Sequence, residues 1–430
     1  MLLLDLFRRF TIEQGIPAWL VGGAVRDLLL GKEIKDADIA VEGDSLAIAG
    51  GFSLETGATF VLLDREWGTG RVVRGQEQID ISPLRGGGIR TDLAERDITI
   101  NAMAIPLPDL GKKPESASVT DPLGGRKDLK ARLIRMVSEE NLRKDPLRLL
   151  RVYRFSAALS FSIDEKTREA VRRCAPLIAS PAPERISAEL RQILGLPSSH
   201  PTIRAMVEDG IFIPIFPELR HEEPHEWDAI LSLCKETEEI LGNPCLFLGE
   251  EGTEITHHLS PFTTVCLKLS LFLPDPVIAA EVCSRLRLSA KETCLIRSLV
   301  LHRQSLSCLA GPLTEEKAIA LLRATGDEIH ALAVIRLASS RLPGSALPPD
   351  RASSLCQELL SFYHGEFRRR KALLPLLTGK DLKDELLLNP SPLFKTILSA
   401  VEERVLRGEV RTRPEALAAA LEILEKQRPL

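Results

Sequence analysis

WLVGGAVRDLLLGKEIKDADIAVEG, residues 19–43, decides how the rest of this 430-residue chain is read. Its apolar start (Trp19, Leu20, Val21) predicts a short strand, and Gly22-Gly23 predicts a turn. A helix opening at Ala24 then carries Arg26 and Asp27, and a second strand holds Asp36 and Asp38. Alternate residues of a strand project from one face, so these two carboxylates stand side by side. Charges that close repel each other, and a divalent cation between them relieves the repulsion; oxygen-only ligands suit Mg²⁺. The Gly-Gly turn ahead of a helix offers backbone N–H groups and a positive dipole end to a phosphate. Each signal alone is common in turns and solvated strand ends; together they predict a metal site and a phosphate cradle in one segment.

Working outward, a chain of this length exceeds one ordinary core and predicts two to four domains. Only 4% of residues are aromatic, and long runs of Leu, Ala, Arg and Glu predict a mostly helical protein. The net charge of −4 gives no global sign of a nucleic-acid partner, so any such contact needs a local concentration of cations. That concentration lies between Arg126 and Arg173, where 14 Lys or Arg stand against seven Asp or Glu. Within it Arg148, Arg151 and Arg154 recur every third residue beside an apolar stripe of Leu147, Leu150 and Phe155, which predicts a helix with a row of guanidiniums. The N-terminal MLLLDLFRRF lacks the long apolar core and cleavage site of a signal peptide, and no stretch approaches a charge-free membrane span. Eight cysteines without CxxC spacing predict buried, reduced thiols and a cytoplasmic protein, and argue against a zinc site.

After the opening segment, residues 45–56 predict a helix of small residues, and 59–63, 69–73 and 78–81 predict three strands. Asp80 falls in the middle of the last; from local pattern it reads equally well as an edge residue facing water. Residues 81–95 contain three consecutive glycines and predict a mobile loop.

The pattern GGxVRDxLLGxxxxDxDIA resembles the signature of the bacterial-type tRNA nucleotidyltransferase and poly(A) polymerase family, within the polymerase-β-like nucleotidyltransferases. The resemblance implies an α+β fold: a catalytic head with a mixed sheet and helices (1–125), then an all-α neck (126–195), body (196–345) and RNA-binding tail (346–430). It implies that Asp80 completes a carboxylate triad with Asp36 and Asp38, that the triad holds two Mg²⁺ ions, and that Gly22, Gly23 and Arg26 hold the triphosphate. ERDITINAMA, residues 95–104, resembles the family's second motif, commonly RRDFTINA, with Glu95 in place of the first Arg; it implies sugar contacts from Arg96 and Asp97. Without that context Arg96 and Asp97 read as a neighbouring surface ion pair. DPLGG (121–125) with Leu133, Ile134 and Arg135 resembles the linker that closes the head.

KDPLR, residues 144–148, resembles the base-recognition motif EDxxR, with Lys144 where Glu is usual. Asp145 and Arg148 are expected on one helix face, where a carboxylate accepts from an exocyclic amine and a guanidinium donates to ring acceptors. Such a pair chooses C and A over U and G with no template. Arg151 and Arg154 continue the row toward triphosphate or RNA. PERISAELRQIL (183–194) matches ERxxxE at Glu184, Arg185 and Glu189 and reads as an i, i+4 brace of the neck.

Beyond Gly195 the motifs thin out. Many family members carry an LLHDIGK-like metal dyad in a fused phosphohydrolase domain; this chain has FLPD at 272–275, and its adjacent His257 and His258 read as a polar loop. The body is therefore expected to resemble that domain without its dyad. The basic run from Arg368 to Lys371 reads as a solvated face that can also hold an RNA backbone. Taken together, the resemblance implies a Mg²⁺-dependent enzyme that adds C, A or both to the tRNA acceptor end from CTP and ATP, with tRNA as partner and no obligatory protein partner. Segment 81–95 is shorter than the flexible segment of full CCA adders, which favours CC-only or A-only addition. Poly(A) polymerase and a non-catalytic RNA-binding relative are the alternatives.

Overall fold

The computed structural model describes residues 2–34, 36–111, 118–220, 224–306 and 313–427. They form two compact units, Met1–Pro217 and Glu218–Leu430.

The first unit is built on a six-stranded sheet of β1 (Ala18–Val21), β2 (Ala37–Val41), β3 (Thr59–Asp64), β4 (Thr69–Arg74), β5 (Glu77–Pro83) and β6 (Ala104–Pro106), in the order β3-β4-β5-β2-β1-β6. Only β2 and β5 run parallel, so the sheet is mixed and the unit α+β, as expected. Composition follows position. Leu20, Val21, Ile39, Ala40 and Val41 of the central strands are buried, whereas every residue of the edge strand β3 is exposed. Helix α1 (Leu2–Glu13) and helix α3 (Ser45–Thr56), separated by α2 (Gly23–Leu29), cover the sheet through Phe7, Phe10 and Phe52; the Phe7 and Phe52 rings meet edge-on at 4.9 Å. α3 starts where the Asp44 carboxylate accepts from Leu46 and Ala47 N–H, and stops at Gly57 in the left-handed region.

The loop expectation for residues 81–95 needs correction. β5 continues to Pro83, and Ile89–Ala94 forms helix α4, which buries Asp92 and Leu93. The three glycines interrupt regular structure only locally, and the apolar Leu93 supplies burial energy that fixes the next turn.

Five more helices follow: α5 (Gly125–Lys130), α6 (Glu139–Lys144), α7 (Leu147–Leu159), α8 (Glu165–Cys174) and α9 (Pro183–Leu194). The DPLGG segment is more than a turn. Asp121 accepts from Gly125 and Arg126 N–H, capping α5, while buried Asp128 accepts from the Thr99 hydroxyl and from Arg135. Gly125 lies so close to the chain after α4 that a Cβ would stand 2.3 Å from the Thr99 carbonyl oxygen. Gly125→Ala is therefore expected to destabilise this unit by about 1–3 kcal/mol, because backbone must yield. A thermal midpoint below that of the wild type, read by circular dichroism, checks it.

In the second unit every regular element among the described residues is helical. Helix Ile329–Ser340 is buried along almost its whole length. His258 closes helix Glu251–His258 and is not in a loop, contrary to expectation. Asp275 of the FLPD segment caps the next helix by accepting from Val277 and Ile278 N–H. Within the basic run, Arg370 is tied to Glu315 and to the Leu406 carbonyl oxygen, so part of that run is structural. Among the described residues no helix is long and apolar enough to cross a membrane, and the seven described cysteines are free; Cys308 lies outside them.

Candidate active site

A cleft of about 1030 Å³ opens in the first unit, and its wall contains every site residue expected from sequence except Asp80. It joins the start of β2, the β1–α2 turn, the segment after α4, one side of α7 along its whole length, and the first turn of α9.

The acidic side is set by strand register. Asp36 immediately precedes β2, Asp38 lies on it, and Asp38 is opposite Asp80 across the parallel β2–β5 pair. Neighbouring strands lie ~4.8 Å apart, so the three acids cluster on one face of the sheet where its two central strands pair. Their side chains are turned to different partners, however. Arg71, directly across on β4, grips Asp80 with two hydrogen bonds of 2.6 and 2.8 Å, and Gln78 donates to Asp36 at 2.7 Å. Asp38 is exposed to the cleft. The protein around it still withdraws water from the carboxylate, which raises its pKa; Arg96 opposes the rise, while Asp80 and Asp36 add to it. Three oxygen donors around a strained negative charge fit a divalent cation.

Gly22 links the acidic cluster to α2. Its φ of +72° lies in the left-handed region, and a Cβ there would crowd an Arg96 guanidinium nitrogen at 3.1 Å and Asp38 Oδ2 at 3.6 Å. The expectation that Arg26 faces a triphosphate meets a guanidinium already organised by the protein. Arg26 donates to both oxygens of Asp27 and, at 2.7 Å, to Asn101, which leaves two of its five N–H bonds for the cleft.

Arg96 and Asp97 do not pair with each other. Arg96 reaches back one turn to Asp92 at 2.9 Å. Asp97 is buried and accepts from Ile98 N–H and from Arg151 at 2.7 Å. Burial pushes against its charge, but the Arg151 charge and hydrogen bond, the Ile98 N–H and Arg148 outweigh it and hold its pKa below the usual range. Asp97 therefore stays ionised and presents Arg151 to the cleft.

The opposite wall also departs from the expected geometry. Asp145 is not on the helix of Arg148. It ends α6 in extended conformation, Pro146 intervenes, and α7 begins at Leu147. A proline disfavours helical backbone at the residue before it, which is why the i, i+3 reading fails. Both side chains nonetheless line the cleft. Arg185 pairs with Asp145 at 3.0 Å, so the expected Arg185–Glu189 brace within α9 is replaced. Buried Glu189 instead faces Arg154 at 2.8 Å and Arg151 at 3.8 Å. Burial raises the Glu189 pKa and lowers that of Arg154, each more than pairing restores. The pair thus fixes the arginine row more than it stabilises the fold. Phe155 lies beneath the same row, with Arg26, Arg151 and Arg154 guanidiniums 4.3–5.2 Å from its ring. Arg148 is half-buried, which lowers its pKa, and donates weakly to the Asn141 carbonyl at 3.3 Å.

Sequence reasoning missed Arg71, Asn101, Phe155 and the cleft-facing role of Arg185. The alternation of β4 places Arg71 on the face of Asp80, but only the strand pairing reveals it.

Comparisons with known proteins show what the chain is similar to. Residues 18–135 match the poly A polymerase head domain, and residues 160–222 match the probable RNA and SrmB-binding site of polymerase A. The chain is 32% identical to a CC-adding tRNA nucleotidyltransferase of Synechocystis sp., covering 94% of this chain and 93% of that one. It is also 32% identical to an A-adding tRNA nucleotidyltransferase of Deinococcus radiodurans, covering 96% and 97%. Among solved structures, a CCA-adding enzyme in complex with ATP superposes with a TM-score of 0.71 at 25% identity, covering all of this chain and 94% of that one.

Proposed function

This chain belongs to the tRNA nucleotidyltransferase and poly(A) polymerase family, and on that premise we propose that it adds C, A or both to the acceptor end of tRNA without a template. The observation that carries the reading is one cleft with carboxylates along one wall and an acid-and-arginine set along the other. In this reading residues 1–125 perform the chemistry, 126–195 read the base, and the helical body and tail, 196–345 and 346–430, hold the RNA. Asp36, Asp38 and Asp80 would hold Mg²⁺, Asp80 after releasing Arg71; ions held there would supply activation of the RNA 3′-hydroxyl and charge neutralisation for the pyrophosphate leaving group.

The chain's own residues do the rest. Gly22 and Gly23 bring backbone close to the triphosphate, and Arg26 offers its two remaining N–H bonds. Arg96, anchored by Asp92, directs its other guanidinium nitrogen at the edge of Asp38, where sugar and α-phosphate meet the acids. Asp97 acts by positioning Arg151 and so corrects the simpler reading of a direct sugar contact. Asp145, in the extended link after α6, and Arg148, on α7, read the base edge, and Arg185 pairs with the Asp145 carboxylate for that task. Cytoplasm, where the thiols stay reduced, is the proposed location.

Relatives of equal identity add CC or A, so the acceptor decides the step. Purified protein with Mg²⁺ is given CTP or ATP on tRNA ending before CCA, tRNA ending in CC, and an unrelated RNA. Addition confined to tRNA and stopping at a fixed length is the expected result. Long A tails on the unrelated RNA would make the chain a poly(A) polymerase.

A further inference from the structure

In the second unit three histidines distant in sequence meet. His258 ends helix Glu251–His258, His330 lies in the first turn of helix Ile329–Ser340, and His364 sits in the π-helical stretch Tyr363–Phe367. One ring nitrogen from each lies within 4.8 Å of the other two, and Nε2 of His330 is 3.0 Å from Nε2 of His364. A π-helical turn re-aims side chains and is common at functional sites.

The outer face of each ring is held by oxygen. Nδ1 of His258 is 2.9 Å from the Glu254 carbonyl oxygen, Nδ1 of His330 is 2.7 Å from the Asp327 carbonyl oxygen, and Nδ1 of His364 is 3.7 Å from the Glu254 carboxylate. Carbonyl oxygens only accept, so Nδ1 of His258 and His330 carries the hydrogen and Nε2 is left as a lone pair. Nδ1 of His364 lies beyond hydrogen-bond distance of Glu254, so Nε2–H of His364 donates to the Nε2 lone pair of His330 at 3.0 Å. A cation takes both Nε2 lone pairs once that hydrogen passes to Nδ1 of His364, beside the Glu254 carboxylate. Tyr363, whose hydroxyl donates to the Asp327 carboxylate, packs edge-on against the His330 and His364 rings at 5.3 and 5.0 Å and fixes their planes.

We propose that His258, His330 and His364 form a transition-metal site, with Zn²⁺ as the best-suited ion, bound through Nε2 of each ring. Imidazole nitrogens suit Zn²⁺ rather than Mg²⁺, and oxygen acceptors behind each Nδ1 are the outer support such ligands need. Zn–N bonds of about 2.0–2.1 Å in tetrahedral geometry set ligand nitrogens roughly 3.3 Å apart, so His330 and His364 need move only a few tenths of an ångström. The His258 ring lies flat on His330 with centroids 4.2 Å apart, and it must turn out of that stack to aim Nε2 at the same ion. The ion pins three segments of the second unit and leaves a fourth position for water. This differs from the expectations of no zinc site and a polar loop at His258. Scattered cysteines exclude a thiolate site but say nothing of imidazoles.

The test uses the full chain without a polyhistidine tag, stripped with a chelator and titrated with Zn²⁺ by calorimetry and with Co²⁺ by visible absorption. One ion per chain, the intense bands of four-coordinate Co²⁺ and a raised thermal midpoint are expected. His364→Gln and His258→Gln should each weaken binding at least about 10-fold, whereas Asp38→Asn should leave it intact. Absence of a stoichiometric site, octahedral Co²⁺ bands, or wild-type affinity in both histidine variants would overturn the proposal. If a variant fails to fold, the wild-type cobalt spectrum still decides.

Discussion

Asp38→Asn is expected to abolish nucleotide addition, by on the order of 10³-fold or more, while tRNA binding persists. The carboxylate stands at the centre of the acidic cluster, beside Asp36 on one strand and opposite Asp80 on the next. Removing a charge that anchors Mg²⁺ forfeits several kcal/mol of transition-state stabilisation, and each 1.36 kcal/mol is tenfold in rate. Fold stability should move the other way. Enclosure and its acidic neighbours raise the Asp38 pKa, so the metal-free folded state holds this proton more tightly than the unfolded chain does. Stability from this group therefore declines as pH climbs through the raised pKa, and at neutral pH the ionised carboxylate is a net cost. The Asn variant should melt at or above the wild-type temperature in chelator, an activity-for-stability exchange. Single-turnover incorporation, gel-shift binding and thermal melts check the three parts. Turnover within tenfold of wild type would remove Asp38 from the chemistry.

Asp145→Ala and Arg148→Ala are expected to compress base selection. Hydrogen bonds to charged groups contribute ~1.5–3 kcal/mol, so each change should lower kcat/KM for CTP and ATP by roughly 10- to 150-fold. Incorporation of UTP and GTP, which present a carbonyl where cytosine and adenine present the amine, should change much less. Arg185 separates recognition from architecture: Arg185→Ala keeps both reading groups but releases the Asp145 carboxylate from its 3.0 Å partner. It should reduce CTP and ATP use less than Asp145→Ala does. Equal losses for all four nucleotides would assign Asp145 and Arg148 to triphosphate or structure instead.

Residues 19–43 made the catalytic cluster legible because strand, turn and acid spacing are local. Alternation likewise placed β3, β4 and β5 within one or two residues, and the helix at 45–56 was read at its actual bounds. What stayed hidden was pairing between distant segments. Arg71 meets Asp80 only because β4 and β5 adopt one particular register. Asp145 looked helical by spacing to Arg148, yet Pro146 separates the two segments. Glu189 looked like the partner of Arg185 one turn away, whereas tertiary packing gives it Arg154 and gives Arg185 to Asp145. The same holds for the three histidines, of which His330 and His364 meet across 34 residues. Local rules see neighbours along the chain, and buried charge is arranged by neighbours in space.

The central claim is that protein side chains choose the base without a template, on a tRNA acceptor that sets the step. Its most direct test gives wild-type protein all four nucleoside triphosphates at equal concentration with Mg²⁺, on tRNA ending before CCA and on tRNA ending in CC, and sequences the product 3′ ends. The account predicts C and A only, ending no later than CCA, on at least one of the two acceptors. Products that carry U or G at comparable frequency, or that run on into A tails, would contradict it.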